Sequence, residues 1–241
     1  MINKILNIAK LSQITQNSNI KTFNTTLPIL LQVLEKTRMG YMLKLGNSTI
    51  EARSPANLQI GAKYWAIVKD SSVGEIIIQN LIKQPKIFDY VKSTSLSFEM
   101  NEFQTMIKEK KFSQNFYDKL IDSTINAENK EDFLFLSNAL LAYEKKITNL
   151  VIKDRNKRIL LQIKNKKRDK IDFSAIFGNL GVIAGSIYES NILILKVQYQ
   201  NVKNLLEKSK DRLEGFSEIK ILLDENTSIL FDMLETQIIE A

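Results

Sequence analysis

The chain has 241 residues, 44% of them apolar and 25% charged, which is enough for one large domain or two small ones, each with its own core. It contains no cysteine and no histidine. That excludes disulfides, thiolate sites, imidazole bases and almost every zinc site, so a non-enzymatic protein with no cofactor and no metal is expected. The formal charge is +7, carried by 28 Lys and only six Arg; Lys lacks the planar fork that reads phosphates and bases, so the charge alone argues only weakly for nucleic acid.

Residues 1–27 read as an N-terminal arm. Lys4 and Lys10 interrupt its apolar positions and no small-residue cleavage site follows, so it does not resemble a secretory signal. No apolar run approaches the ~20 residues that span a bilayer. A cytoplasmic protein without membrane insertion is expected.

Residues 28–84 hold Pro28 and Pro55, with Pro85 just beyond, and four of the eight glycines, and short strands are predicted between these breakers. The strands are ILLQVLE (29–35), GYMLKLG (40–46), STIEARS (48–54), KYWAIVK (63–69) and EIIIQN (75–80), with a tight turn at Gly46-Asn47. Five strands in so short a span predict a small β-barrel-like domain. Such barrels bind oligonucleotides through exposed aromatics, but Trp65 is expected in the core.

Residues 85–147 contain no glycine, and no proline after Pro85, and they predict a helical hairpin or bundle. Phe112, Phe116, Leu120 and Ile121 share one helical face. Phe133, Leu136, Leu140, Tyr143 and Ile147 mark another, widened by Leu134, Phe135 and Leu141. Either the whole face packs internally, or the side bearing Leu134 and Leu141 docks a partner helix.

Residues 148–241 alternate strands and helices. A hairpin is predicted to turn at Asp154–Asn156, followed by strands in KIDFSAIF, GVIAGSIY and NILILKVQYQ. A helix over 201–214 would present Val202, Leu205, Leu206, Ser209 and Leu213 on one side, with Gly215 as its C-cap. A strand at 219–223 and a helix beginning near Asn226 or Thr227 complete the chain. The predicted fold is α+β: a small β-barrel-like domain, a central helical hairpin, and a C-terminal antiparallel sheet with a crossing helix.

Two stretches invite a chemical reading. Gly178, Gly181 and Gly185 lie in FGNLGVIAGSIY, but Val182 and Ile183 stand where a Walker A loop needs Lys and Ser/Thr, and both flanks are strands rather than helices. A turn at 178–181, with Gly185 at a bulge or close approach, is predicted instead. The run from Lys153 to Lys170 carries nine cationic residues against Asp154 and Asp169. Lys164, Lys166, Lys167 and Arg168 form its densest part. The run is consistent with solvated hairpin loops, an acidic protein surface, or nucleic acid and anionic lipid; no aromatic is interleaved for stacking. Glu131-Asp132 and Asp224-Glu225 sit at helix or strand ends, with no feature that points to catalysis.

The stretch NLGVIAGSIYESNILILKVQYQNVKNLLEKSKDRLEGFSEIKILL is similar to the C-terminal domain of bacterial flagellar hook-length control proteins. Leu180-Gly181, Leu193-Ile194-Leu195, Leu206 and Leu213 occupy comparable places. GYMLKLGNSTIEARSPANLQIGAKYWAIV resembles the small β-domain that precedes that region. The long Pro/Gln/Ser-rich ruler segment is missing, so the chain looks more like small flagellar accessory proteins that act with the flagellin export chaperone. That resemblance implies a co-chaperone role in flagellar assembly and export, with another protein, the export chaperone, as partner. The alternative expectation is a nucleic-acid-binding protein using the small barrel and the 153–170 run.

Overall fold

A computed structural model describes residues 7–9, 26–54, 57–70, 76–106, 108, 112–155, 157–166, 169–189 and 191–233. The chain divides into two compact units, residues 1–84 with 179–181, and residues 85–178 with 182–241. Helices and sheets segregate along the chain, so the fold is α+β.

The first unit is a single antiparallel sheet. Its strands are β1 (Asn7–Ala9), β2 (Ile29–Lys36), β3 (Tyr41–Leu45), β4 (Ser48–Ala52), β5 (Lys63–Asp70) and β6 (Ile76–Lys83), in the order β1-β6-β5-β2-β3-β4. Alternation along each strand sends Leu31 and Val33, Leu43 and Leu45, and Ala66 and Val68 into one core with Ile50 and Ile78. The expected strands form nearly residue for residue. Gly46 takes a left-handed φ of +57° in the two-residue turn between β3 and β4, which suits glycine there. β1 and β4 stand at the two ends of this order.

The three aromatics of this unit between Pro28 and Gln84 are buried, and Trp65 has no exposed surface. Tyr41 donates its hydroxyl to Asn57 Oδ1 at 3.0 Å and accepts the Leu58 N–H at 3.2 Å. Tyr64 accepts the Gln59 N–H at 3.1 Å. Their rings therefore brace the loop that joins β4 to β5.

The second unit begins with α1 (Ile87–Tyr90), β7 (Phe98–Glu99), α2 (Met100–Met106), α3 (Phe112–Ile125) and α4 (Lys130–Glu144). The meander β8 (Ile147–Asp154), β9 (Lys157–Lys166), β10 (Lys170–Phe177), β11 (Gly181–Tyr188) and β12 (Ile192–Val197) follows. The helix α5 (Gln200–Lys208) then crosses to β13 (Glu218–Leu223), which lies parallel to β12, and β7 lies parallel to β8 at the other edge. Of the hairpin turn expected at Asp154–Asn156, Asp154 ends β8 and Arg155 takes a positive φ before β9 begins at Lys157, while Asn156 lies outside the described residues. The glycine cluster is architectural, as its flanking strands predict: β10 and β11 join through residues 178–180. A Cβ on Gly185 would meet Phe173 Cζ at 2.6 Å and the Ile194 carbonyl oxygen at 2.8 Å.

Two expected helices differ from the sequence reading. The helix after β12 ends at Lys208, not beyond Leu213, and a 3-10 turn over Lys210–Arg212 replaces its last turn. Val202 is its buried anchor, while Leu205 and Leu213 are 40% and 37% exposed. With no complete second apolar row to bury, packing does not extend the helix. Gly215 still takes a positive φ of +88°, but in the following turn.

The helix expected from Thr227 is absent over 227–232, which run as irregular chain with a bend at Leu230, and Met233 is the first helical residue. Thr227 instead closes a turn, its N–H and hydroxyl both donating to the Asp224 carbonyl at 3.0 and 2.7 Å. Residues 234–241, the rest of that expected helix, lie outside the described residues.

Candidate partner-binding site

Helix α4 starts from a strong cap: Asn129 is extended and its side chain accepts the Asp132 N–H at 2.9 Å. The Glu131-Asp132 pair is committed to the same corner. Asp132, 2% exposed, accepts the Ser95 N–H at 3.0 Å, and Glu131 accepts the Ser93 hydroxyl. Both carboxylates thus pin the 93–95 loop onto the positive end of a helix.

The inner face of α4 is formed by Phe135, Leu136, Ala139 and Ala142, none more than 1% exposed. The stripe expected at Phe133, Leu136, Leu140, Tyr143 and Ile147 is therefore rotated, and Ile147 opens β8 because the helix ends at Glu144. The two alanines let the helix approach β8 closely, and counting only large side chains misses them. Tyr143 remains half-buried and stacks on Tyr117 at 4.7 Å.

This rotation leaves large apolar residues on the side opposite the core. Phe133 is 52% exposed and Leu141 is 44% exposed, while Leu134 and Leu140 are half-buried. Phe133 and Leu141 are eight residues apart and Leu134 and Leu141 seven, so they share one outer face with Ser137 between them. A helix in a lone globular unit normally turns a polar face to water. Helix α4 is apolar on both sides.

The other candidate residues lie on different elements. Lys164 and Lys166 point to one face of β9, since side chains two apart on a strand share a side. Lys166 and Lys170 converge on Asp172 of β10, Lys166 by a short ion pair and Lys170 at 3.4 Å. Ser186 of β11 adds a hydroxyl bond to the same carboxylate at 2.6 Å. Burial raises the Asp172 pKa, but the bonds from Lys166 and Ser186 and the two ammonium charges outweigh it and hold the carboxyl below its usual range. Lys170 also sits 4.7 Å from the Tyr188 ring centroid, and its hydrogen bond to Tyr188 lowers that phenol's pKa and raises its own.

The basic run is thus partly spent inside the fold. Arg158 uses its guanidinium on the Val91 and Thr94 carbonyls, at 2.8 and 3.2 Å. Lys167 and Arg168 lie outside the described residues. Asp172, which sequence spacing did not single out, becomes legible only once β9 and β10 are in register and Lys164 faces it.

A second feature escaped the sequence entirely. Gln162, Ser174, Gln198 and Asn138 are polar, and none is more than 3% exposed. Gln162 and Ser174 are direct cross-strand partners, as are Asn149 and Gln162, so β8, β9 and β10 carry one polar row across a sheet face. Residues 227–233 lie over this row. Gln198 donates to the Thr227 carbonyl at 2.7 Å and Asn138 Oδ1 accepts the Met233 N–H at 2.9 Å.

No helix among the described residues is long and apolar enough to cross a membrane. The chain matches no protein-family model, no curated protein and no solved structure.

Proposed function

We propose that this is a non-enzymatic binding protein that holds a helix of another protein on the outer face of α4, and that it serves flagellar assembly as an accessory to the flagellin export chaperone. The observation that carries the binding reading is the second apolar face of α4, with Phe133, Leu134, Leu140 and Leu141 lying opposite a complete core face. A helix with its own apolar stripe would bury those residues by helix-on-helix packing. The flagellar part rests on the resemblance of residues 179–223 and 40–68, and an export chaperone built of amphipathic helices is a partner of the matching kind. Composition supports the non-enzymatic part: there is no imidazole or thiol, and the Glu131-Asp132 pair holds a loop.

Calorimetric titration of the full chain with the flagellin export chaperone from the same organism tests the partner. A Kd near or below about 1 μM is expected, equivalent to about −8 kcal/mol. Absence of heat at about 100 μM chaperone rejects the flagellar reading. Duplex and single-stranded DNA should show no saturable binding at low salt, where a phosphate-directed protein binds best.

A further inference from the structure

We propose that the sheet face crossed by residues 227–233 is a second binding site, one that takes an irregular, non-helical peptide segment through its backbone, and that these residues are its resident, displaceable occupant. The site is independent of the outer face of α4.

Among the described residues the segment pairs with no strand; the Leu230, Phe231 and Met233 N–H groups and the Thr227 and Phe231 carbonyls go to side chains. Gln162 Oε1 accepts the Leu230 and Phe231 N–H groups at 2.8 and 3.1 Å, and Gln162 Nε2 donates to the Phe231 carbonyl at 2.7 Å. Ser174 Oγ accepts the Leu230 N–H at 3.2 Å while donating to Gln162. Gln198 and Asn138 hold the two ends, and Gln198 Oε1 is itself fixed by the Val182 N–H at 3.0 Å. A carboxamide places N–H donors beside an acceptor oxygen, the complement of a peptide group, so this row reads the backbone of the chain lying on it.

Buried polar side chains on a sheet face are costly unless they are partnered, and apolar residues would pack there as well. The resident segment does not satisfy the whole row. Asn149, beside Gln162 in register, has both amide atoms buried without a partner, and so does Asn138 Nδ2. The row therefore offers more hydrogen bonds than its occupant uses, and a chain lying across Asn149 as well would gain them.

Side chains hold the occupant at two points, Asp232 Oδ2 accepting the Ile87 N–H at 3.3 Å and the Phe231 ring lying 4.8 Å from Lys145 Nζ, but they bury little apolar surface. Thr227 is buried, Ser228 is exposed, and Ile229 to Met233 are only half-buried. Segments with little apolar burial open locally at low cost while the core stays closed. The partner this chemistry fits is a non-helical, proline-free stretch with one or two large apolar side chains, as Leu230 and Phe231 supply here.

The test uses the full chain and a fluorescent synthetic peptide of residues 224–233. Leu230→Pro removes the N–H shared by Gln162 and Ser174 and weakens the resident without altering the row. The variant should bind the peptide at least tenfold more tightly than the wild type, and adding Gln162→Leu should abolish that binding. A peptide with the same side chains but N-methylated at Leu230 and Phe231 should not bind; equal binding of the methylated peptide overturns backbone recognition. Hydrogen exchange on the wild type decides the matter if the variant does not fold. The Leu230, Phe231 and Met233 amides should exchange at least tenfold faster than the ladder amides of β9 and β10, and equal rates would make the segment an inseparable part of the core.

Discussion

Gln162 grips Phe231 at both of its peptide groups, donating Nε2 to its carbonyl at 2.7 Å and accepting its N–H at 3.1 Å. One side chain thus does for residue 231 what an adjacent strand does in a ladder. Gln162→Leu keeps the volume and leaves those groups facing methyls. Release of the segment caps the cost, so a global loss of about 1–2 kcal/mol is expected in urea denaturation. The Leu230 and Phe231 amides should lose their protection in the same variant.

At Gly185 the constraint is space. A methyl there would press on the Phe173 ring and the Ile194 carbonyl, both under 3.0 Å from its position. Gly185→Ala should destabilise the second unit by about 2 kcal/mol, as overpacking does. Adding Phe173→Leu should recover part of that loss and not all, because the carbonyl cannot give way as a side chain can. Full recovery would locate the whole strain in the ring.

Much of this architecture is legible in the sequence, and the failures share a cause. Alternation in 41–45 and 48–52, with Gly46-Asn47 between them, places a hairpin without tertiary help. Phe116 and Leu120 likewise identify the buried side of α3, where both have no exposed surface. Small residues mislead: Ala139 and Ala142 carry little weight in an apolar stripe, yet their size sets which side of α4 packs. Tertiary context overrides periodicity in TSILFD, whose helical spacing loses to hydrogen bonds that Leu230 makes with Gln162 and Ser174, 68 and 56 residues earlier. The outer face of α4 was visible as surplus apolar residues at Leu134 and Leu141. The polar row was not, because lone Gln, Ser and Asn codes carry no signal until strand register aligns them.

Asp172 makes stability depend on pH in a defined direction. Its folded pKa lies below the ordinary 3.8, so its contribution is present above that value and is lost as pH falls through the lowered one. Asp172→Asn should cost about 1 kcal/mol at neutral pH, a modest figure because Lys166 is 46% exposed and screened by solvent. The difference between wild type and variant should vanish well below pH 3.8. A difference that persists unchanged into strong acid would show that packing, not charge, is what Asp172 supplies.

The two faces of α4 should respond oppositely to charge. Leu136→Glu places a carboxylate where no surface is exposed and should unfold the unit, costing about 4 kcal/mol or more. Leu134→Glu, at a half-buried position, should cost about 1 kcal/mol and leave the circular dichroism of the wild type.

The most direct measurement is the affinity of Leu141→Glu for the export chaperone, taken with its melting temperature. Leu141 is 44% exposed, so the variant should melt within about 2 °C of the wild type. A charge in a desolvated apolar interface costs several kcal/mol, so binding should weaken at least 30-fold, or about 2 kcal/mol. Wild-type affinity in a folded Leu141→Glu protein would contradict docking on the outer face of α4.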